Sequence, residues 1–279
     1  MLRVNNLIGF GLAGGSGSLL VDIDLYSYAS KSLSVSSQED KPLALEFSAD
    51  GTKAYVIGQT NNRIYQYTLS TPWDVSTGSY ASKSFSVASQ DSKGWGFSIN
   101  DEGTKAYVTG EINNRIYQYT LSTPWDISTA SYASKNFLFS SQTTTGRNTF
   151  FKPDGLTMFL GTQTAGMIYQ YTLSTAWDIS TASYASKSLD VSANETAPTG
   201  IELSPDGRKL FALGFVTADT IFQYTLSTPY DLSTGSYDSK SLSVNAQESI
   251  PFAVRMSADG SRFYVVGQGS DAIFQYEIT

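Results

Sequence analysis

The sequence predicts an all-β chain folded as a five-bladed β-propeller. Each blade has four antiparallel strands, and an N-terminal strand closes the ring by completing the last blade in a three-plus-one arrangement. Three observations carry this. First, a unit beginning Ile64-Tyr-Gln-Tyr-Thr-Leu-Ser-Thr-Pro-Trp-Asp returns from Ile116, Ile168 and Ile221, and its first half returns from Ile273. Tyr28, Tyr80, Tyr132, Tyr184 and Tyr237 mark one place in successive copies, 52, 52, 52 and 53 residues apart, and self-similarity at such a period signals a repeat architecture. Second, five acidic-Gly turns set the number of units: Asp50-Gly51, Glu102-Gly103, Asp154-Gly155, Asp206-Gly207 and Asp259-Gly260. Third, the ends are complementary. The chain stops after the third strand of its fifth unit at Ile273–Thr279, while Tyr28–Ser36 is a fourth-strand copy with no blade before it. Pairing the two removes two exposed sheet edges.

Taken in order, residues 1–26 read as a glycine-rich docking arm and residues 27–279 as the propeller. Leu7, Ile8, Phe10 and Leu12 are apolar and have no place in any blade, so they are the expected docking residues. The run is broken by glycines and too short to span a bilayer, so no membrane insertion is expected. In the first full unit, Leu43–Ser48 is a short apolar strand and the Asp50-Gly51 turn suits positive φ. Thr52–Gly58 is the second strand, Gln59–Asn62 a polar hairpin, Arg63–Ser70 the third strand and Ser82–Ser89 the fourth. Four strands in about 52 residues is the arithmetic of a propeller blade. No segment shows a 3.6-residue period, and aromatic and β-branched residues dominate.

Composition narrows function by exclusion. The chain of 279 residues has no cysteine and no histidine, which removes thiol nucleophiles, the usual zinc sites and every histidine base. No cofactor and no metal site is expected. A net charge of −7 with basic residues spread singly argues against nucleic acid as a partner.

The Asp-Gly turn followed by Tyr-Val, as in Ala49-Asp-Gly-Thr-Lys-Ala-Tyr-Val56, resembles the Tyr-Val-Thr-Asn type repeat of five-bladed propellers, as does Pro205-Asp-Gly-Arg-Lys-Leu-Phe211. The unit here is longer and carries an added Trp-Asp-x-Ser-Thr connection. The opening Val4-Asn-Asn-Leu-Ile-Gly-Phe-Gly11 resembles the start of predicted structural proteins of tailed bacteriophages. Those eight residues imply a virion setting, with a protein partner in a larger assembly.

Four groups of residues are candidates for function. The connections Trp73-Asp74, Trp125-Asp126, Trp177-Asp178 and Tyr230-Asp231 read mainly as packed turns in which Asp caps its own backbone. The alternative is a ring of aromatic platforms for sugars. Gln66, Gln118, Gln170, Gln223 and Gln275 recur in mid-strand and are expected to bond the backbone of a neighbouring strand. On the opposite face the copies diverge. There Gln59, Asn61, Asn62, Glu111, Asn113, Asn114, Asp219 and Asp271, with inter-blade loops such as Gln38-Glu-Asp40, form a candidate ligand or partner face. At the central mouth, the residues just before the large apolar position of each first strand read Glu46, Gly96, Phe150, Glu202 and Arg255. Glu46, Glu202 and Arg255 could hold a cation or act as an acid/base set. Asn194-Glu-Thr196 is a formal glycosylation acceptor.

These readings lead to the expectation of a non-enzymatic structural or interaction module, a decoration or tail-associated protein of a phage virion. One alternative is a secreted, lectin-like protein binding glycans through several weak sites. The other is a glycosidase- or lactonase-like enzyme at the central mouth.

Overall fold

A computed structural model describes residues 22–217 and 219–279. Five four-stranded antiparallel sheets stand around an axis, and their inner strands neighbour one another in a closed cycle. In the first blade the strands run Pro42–Phe47, Lys53–Gly58, Arg63–Leu69 and Gly78–Ser86, from the axis outwards. The expected closure is present. The strand Tyr26–Ser34 pairs antiparallel with Ala272–Ile278, with Tyr28 opposite Tyr276 and Ser34 opposite Ala272.

The Asp-Gly turns need glycine for two reasons. Gly51 sits at φ 68°, and a Cβ there would lie 2.3 Å from the Trp73 ring. Trp73 is itself left-handed at φ 63°, held by its N–H bond to the Gly51 carbonyl. Trp125, Trp177 and Tyr230 repeat this arrangement over Gly103, Gly155 and Gly207. An aromatic residue in that region is strained, and the glycine beneath it is what lets the ring lie flat.

The blades are joined by a row of side chains that the sheet register lines up. Across the first blade Tyr55 lies opposite Gln66, and Gln66 opposite Lys83. All three grip the next blade's connection. The Tyr55 hydroxyl donates to the Trp125 carbonyl at 2.7 Å, Gln66 Oε1 accepts from the Ile127 N–H at 3.0 Å, and Lys83 Nζ pairs with Asp126 at 2.6 Å. The glutamines accept in the same way at all five junctions, from Ile127, Ile179, Leu232, Ile23 and Val75. Lys31, Lys83, Lys135, Lys187 and Lys240 likewise pair with Asp74, Asp126, Asp178, Asp231 and Asp22. Asp22 and Ile23 thus serve as the fifth copy of the connection, Asp22 just before the 3-10 turn Ile23–Leu25 and Ile23 as its first residue. Burial raises the Asp126 carboxyl, but hydrogen bonds from Lys83 and Ser128 outweigh it and hold the group below its ordinary range.

Candidate functional site

The repeated connections carry the first part of the site. Asp74, Asp126, Asp178 and Asp231 each accept the N–H two residues on, capping a one-turn 3-10 helix as the sequence reading expects. The five glutamines are buried and spent on the backbone of the following blade's connection. Trp73, Trp125 and Trp177 are both packed and available. One side of each ring covers a glycine, and the indoles line a pocket of about 400 Å³ at the mouth of the axis. That volume falls within the ~300–1,000 Å³ of ordinary small-ligand sites.

The pocket floor is made by the inner strands. Sheet register aligns Glu46 with Tyr55, Ser98 with Tyr107, Phe150 with Phe159, Glu202 with Phe211, and Arg255 with Tyr264. The second blade therefore contributes Ser98, not Gly96. The sequence reading anchored on Phe97 where the structural equivalent of Phe47 is Ile99, and a slip of two leaves the side-chain face unchanged. Gly96 instead lies where a Cβ would be 2.4 Å from the Arg147 carbonyl, so it permits close approach of two inner strands.

The structure brings Glu46, Glu202 and Arg255 together. Arg255 Nε is 3.2 Å from Glu46 Oε2, and Nη1 is 3.5 Å from Glu202 Oε2. The guanidinium also donates to the carbonyls of Ile201 and Val254 through Nη1. Through Nη2 it donates to Phe97 and Thr149 carbonyls and to Asn148 Oδ1. One side chain from the fifth blade therefore touches all five blades, which sequence spacing around a ring does not reveal. Each glutamate turns its other oxygen to the N–H of the next residue, Phe47 or Leu203. Burial pushes the Glu202 carboxyl up to about 8; Arg255 opposes this and Glu46 adds to it. Burial likewise raises Glu46, again against Arg255. At neutral pH the floor holds one carboxyl that retains its proton beside a more accessible partner. Asp101 is a further pocket residue that the repeat analysis missed. It stands at the exposed rim, where other blades place Ala49, Pro153, Pro205 or Ala258.

The opposite face is ordered differently. Asn62, Asn114, Asp219 and Asp271 occupy left-handed hairpin positions at φ 47°, 53°, 46° and 50°. Asn61 and Asn113 tie their hairpins to the Gln38 and Gln90 carbonyls. The acids of the inter-blade loops are buried staples. Glu39 accepts N–H groups of Lys41, Thr60 and Asn61, and Glu248 those of Ile250, Gly269 and Ser270. Glu111 bonds the Trp95 indole and lies 3.8 Å from Arg147, whose guanidinium covers the Trp95 ring. Gln59 donates its backbone N–H to the Lys41 carbonyl. These residues share a face. Asn61, Asn62 and Asn113 tie their hairpins to neighbouring segments, whereas the buried Oδ1 atoms of Asn114, Asp219 and Asp271 have no hydrogen-bond partner among the described residues. Of the eight only Glu111 joins a cluster at the axis. Leu7, Ile8, Phe10 and Leu12 lie outside the described residues. Among the described residues no acidic cluster is arranged to hold a metal ion, and no helix is long and apolar enough to cross a membrane.

No protein-family model and no curated protein matches the chain. Solved structures do. A protein from Lactobacillus plantarum aligns with TM-score 0.52 and 16% identity over 85% of this chain and 67% of its own. A protein from Bacteroides uniformis, provisionally assigned as a 6-phosphogluconolactonase, aligns at 0.50 and 14% over 82% of this chain and 64% of its own. A second protein with that provisional assignment, from Bacteroides fragilis, aligns at 0.50 and 13% over 73% and 55%. The chain spans about two thirds of these proteins' length or less. At such identities the likeness establishes the fold alone. It nevertheless corrects the expectation of a non-enzymatic module. Propellers of this build include proteins assigned to catalysis, so neither the fold nor the missing histidine and cysteine excludes a reaction carried by carboxylates.

Proposed function

We propose that the protein takes a carbohydrate-class small molecule into its tryptophan-rimmed mouth, where Glu202 as acid and Glu46 as acceptor exchange protons with it. The observation that supports this is convergence. Three indoles from the first three blades and two carboxyls, one from the first blade and one from the fourth, meet on one pocket. Sugar rings stack an apolar face on aromatic rings while carboxylates accept from their hydroxyls. A carboxyl holding its proton to about 8 suits general-acid work near neutral pH. The lactonase assignment of two neighbours is consistent with a sugar-derived ligand, but Arg255 is fully engaged, so the floor has no free cationic group to offer a phosphate.

Titration of intrinsic tryptophan fluorescence with hexoses, hexose lactones and short oligosaccharides tests the reading. A saturable change, weakened at least tenfold in Glu46→Gln, is expected; no saturable response to any of them would overturn it. Display of the disc on a bacteriophage particle is a separate proposal resting on residues 4–11, and co-purification with particles tests it.

A further inference from the structure

We propose that the ligand of the central mouth is positively charged, an aminated sugar rather than a neutral or phosphorylated one; this rests on the carbohydrate reading above. The argument begins with Arg255, the single cationic side chain among the described residues lining the pocket. A guanidinium has five N–H groups. Here Nε, Nη1 and Nη2 face Glu46, four backbone carbonyls and Asn148 Oδ1, each within 3.2 Å. The side chain is buried, so it has no donor left for a ligand.

The accessible groups are of the opposite kind. Asp101 stands exposed at the rim, and Glu46 is the more accessible member of the floor pair, with 18% of its side chain exposed against 6% for Glu202. Two of the lining hydroxyls are already committed, Ser48 to Asp50 and Ser257 to Asp259. The walls add Trp73, Trp125 and Trp177, whose negative ring faces attract cations. An aromatic enclosure with carboxylates and no free cationic side chain recognises an ammonium group and repels an anion. Charge also explains why Glu202 is there. A cation settling beside the Glu46–Glu202 pair favours ionised carboxyls, so its binding displaces the proton that burial keeps on Glu202.

Isothermal titration at pH 6.5 with glucosamine, glucose and glucose 6-phosphate, repeated in two buffers of different ionisation enthalpy, tests this. The aminated sugar should bind roughly tenfold or more tightly than the neutral one, about 1.4 kcal/mol, and the phosphorylated one should bind more weakly still. Glucosamine binding should release a proton to the buffer in the wild type but not in Glu202→Gln, and Asp101→Asn should narrow the preference. Equal affinity for glucosamine and glucose would overturn the inference while leaving the carbohydrate pocket intact. Tighter binding of the phosphate ester would also overturn it. Failure of all three sugars to bind would overturn the inference as well, and the carbohydrate reading falls with it only if the lactones and oligosaccharides of the fluorescence titration are silent too.

Discussion

The belt of clamps between blades and the axis they surround are built on opposite plans. In the belt, Gln66 and Lys83 have counterparts at every junction making the same contacts. At the axis the equivalent positions are Glu46, Ser98, Phe150, Glu202 and Arg255, no two blades but the first and fourth alike. A contact repeated at each junction can only serve the ring. A position that every junction leaves free to differ can be given over to chemistry. The division is not absolute, because Arg255 joins the five blades as well as flooring the pocket.

Arg255→Met therefore carries the largest expected effect. It strands Glu46 and Glu202 in a low-dielectric site, and breaking one side of a buried ionic set costs roughly 3–5 kcal/mol. Denaturant melts should show that loss, with a good part restored when Glu46→Gln and Glu202→Gln are added. An unchanged melt in Arg255→Met would mean that the belt alone holds the ring.

The same pair sets a pH dependence. An unfolded glutamate releases its proton near 4.5, whereas folded Glu202 keeps it to about 8. This group's contribution is therefore fully present below pH 4.5 and is lost as the pH rises through 8. The slope is at most about 1.4 kcal/mol per pH unit. Glu202→Gln should flatten the decline between pH 5 and 8 relative to wild type; parallel curves would place the titrating group elsewhere.

Trp125 belongs to both regions. Trp125→Ala removes a half-buried ring from above Gly103 and one wall of the pocket. A stability loss of about 2–3 kcal/mol is expected, together with weaker ligand binding at temperatures where the variant is folded. Loss of stability without loss of binding would return the tryptophans wholly to the belt.

The contrast also explains what could be read from the chain. Blade number, ring closure and the capping aspartates are local or periodic, so Asp50-Gly51, Tyr28 and Asp74 announced them. The glutamines were legible as structural because five identical buried amides need partners. The pocket was only half legible. Glu46, Glu202 and Arg255 are far apart in sequence and meet only through ring closure. Asp101 was overlooked because it occupies an unremarkable turn position that four other blades fill with alanine or proline. The Ser98 register was misread because both Phe97 and Ile99 are large and apolar.

The smallest expected effect tests whether the belt is complete. Tyr55, Tyr107 and Tyr264 donate to the carbonyls of Trp125, Trp177 and Trp73. The third and fourth blades have Phe159 and Phe211 at the same register positions, so their junctions keep the glutamine and lysine contacts but have no hydroxyl to donate. A net hydrogen bond of this kind is worth about 0.5–1.5 kcal/mol. Tyr107→Phe should cost about 1 kcal/mol, since the Trp177 carbonyl loses a donor. Phe159→Tyr should gain somewhat less, because the Tyr230 carbonyl stands where Trp125 and Trp177 present theirs. If the belt is modular, the two substitutions combined should give the sum of their separate effects within about 0.5 kcal/mol. A destabilising Phe159→Tyr would show that the junction beside Phe150 is shaped by the pocket rather than by the repeat. In that event the boundary between scaffold and site lies one strand further from the axis than the contacts of Arg255 indicate.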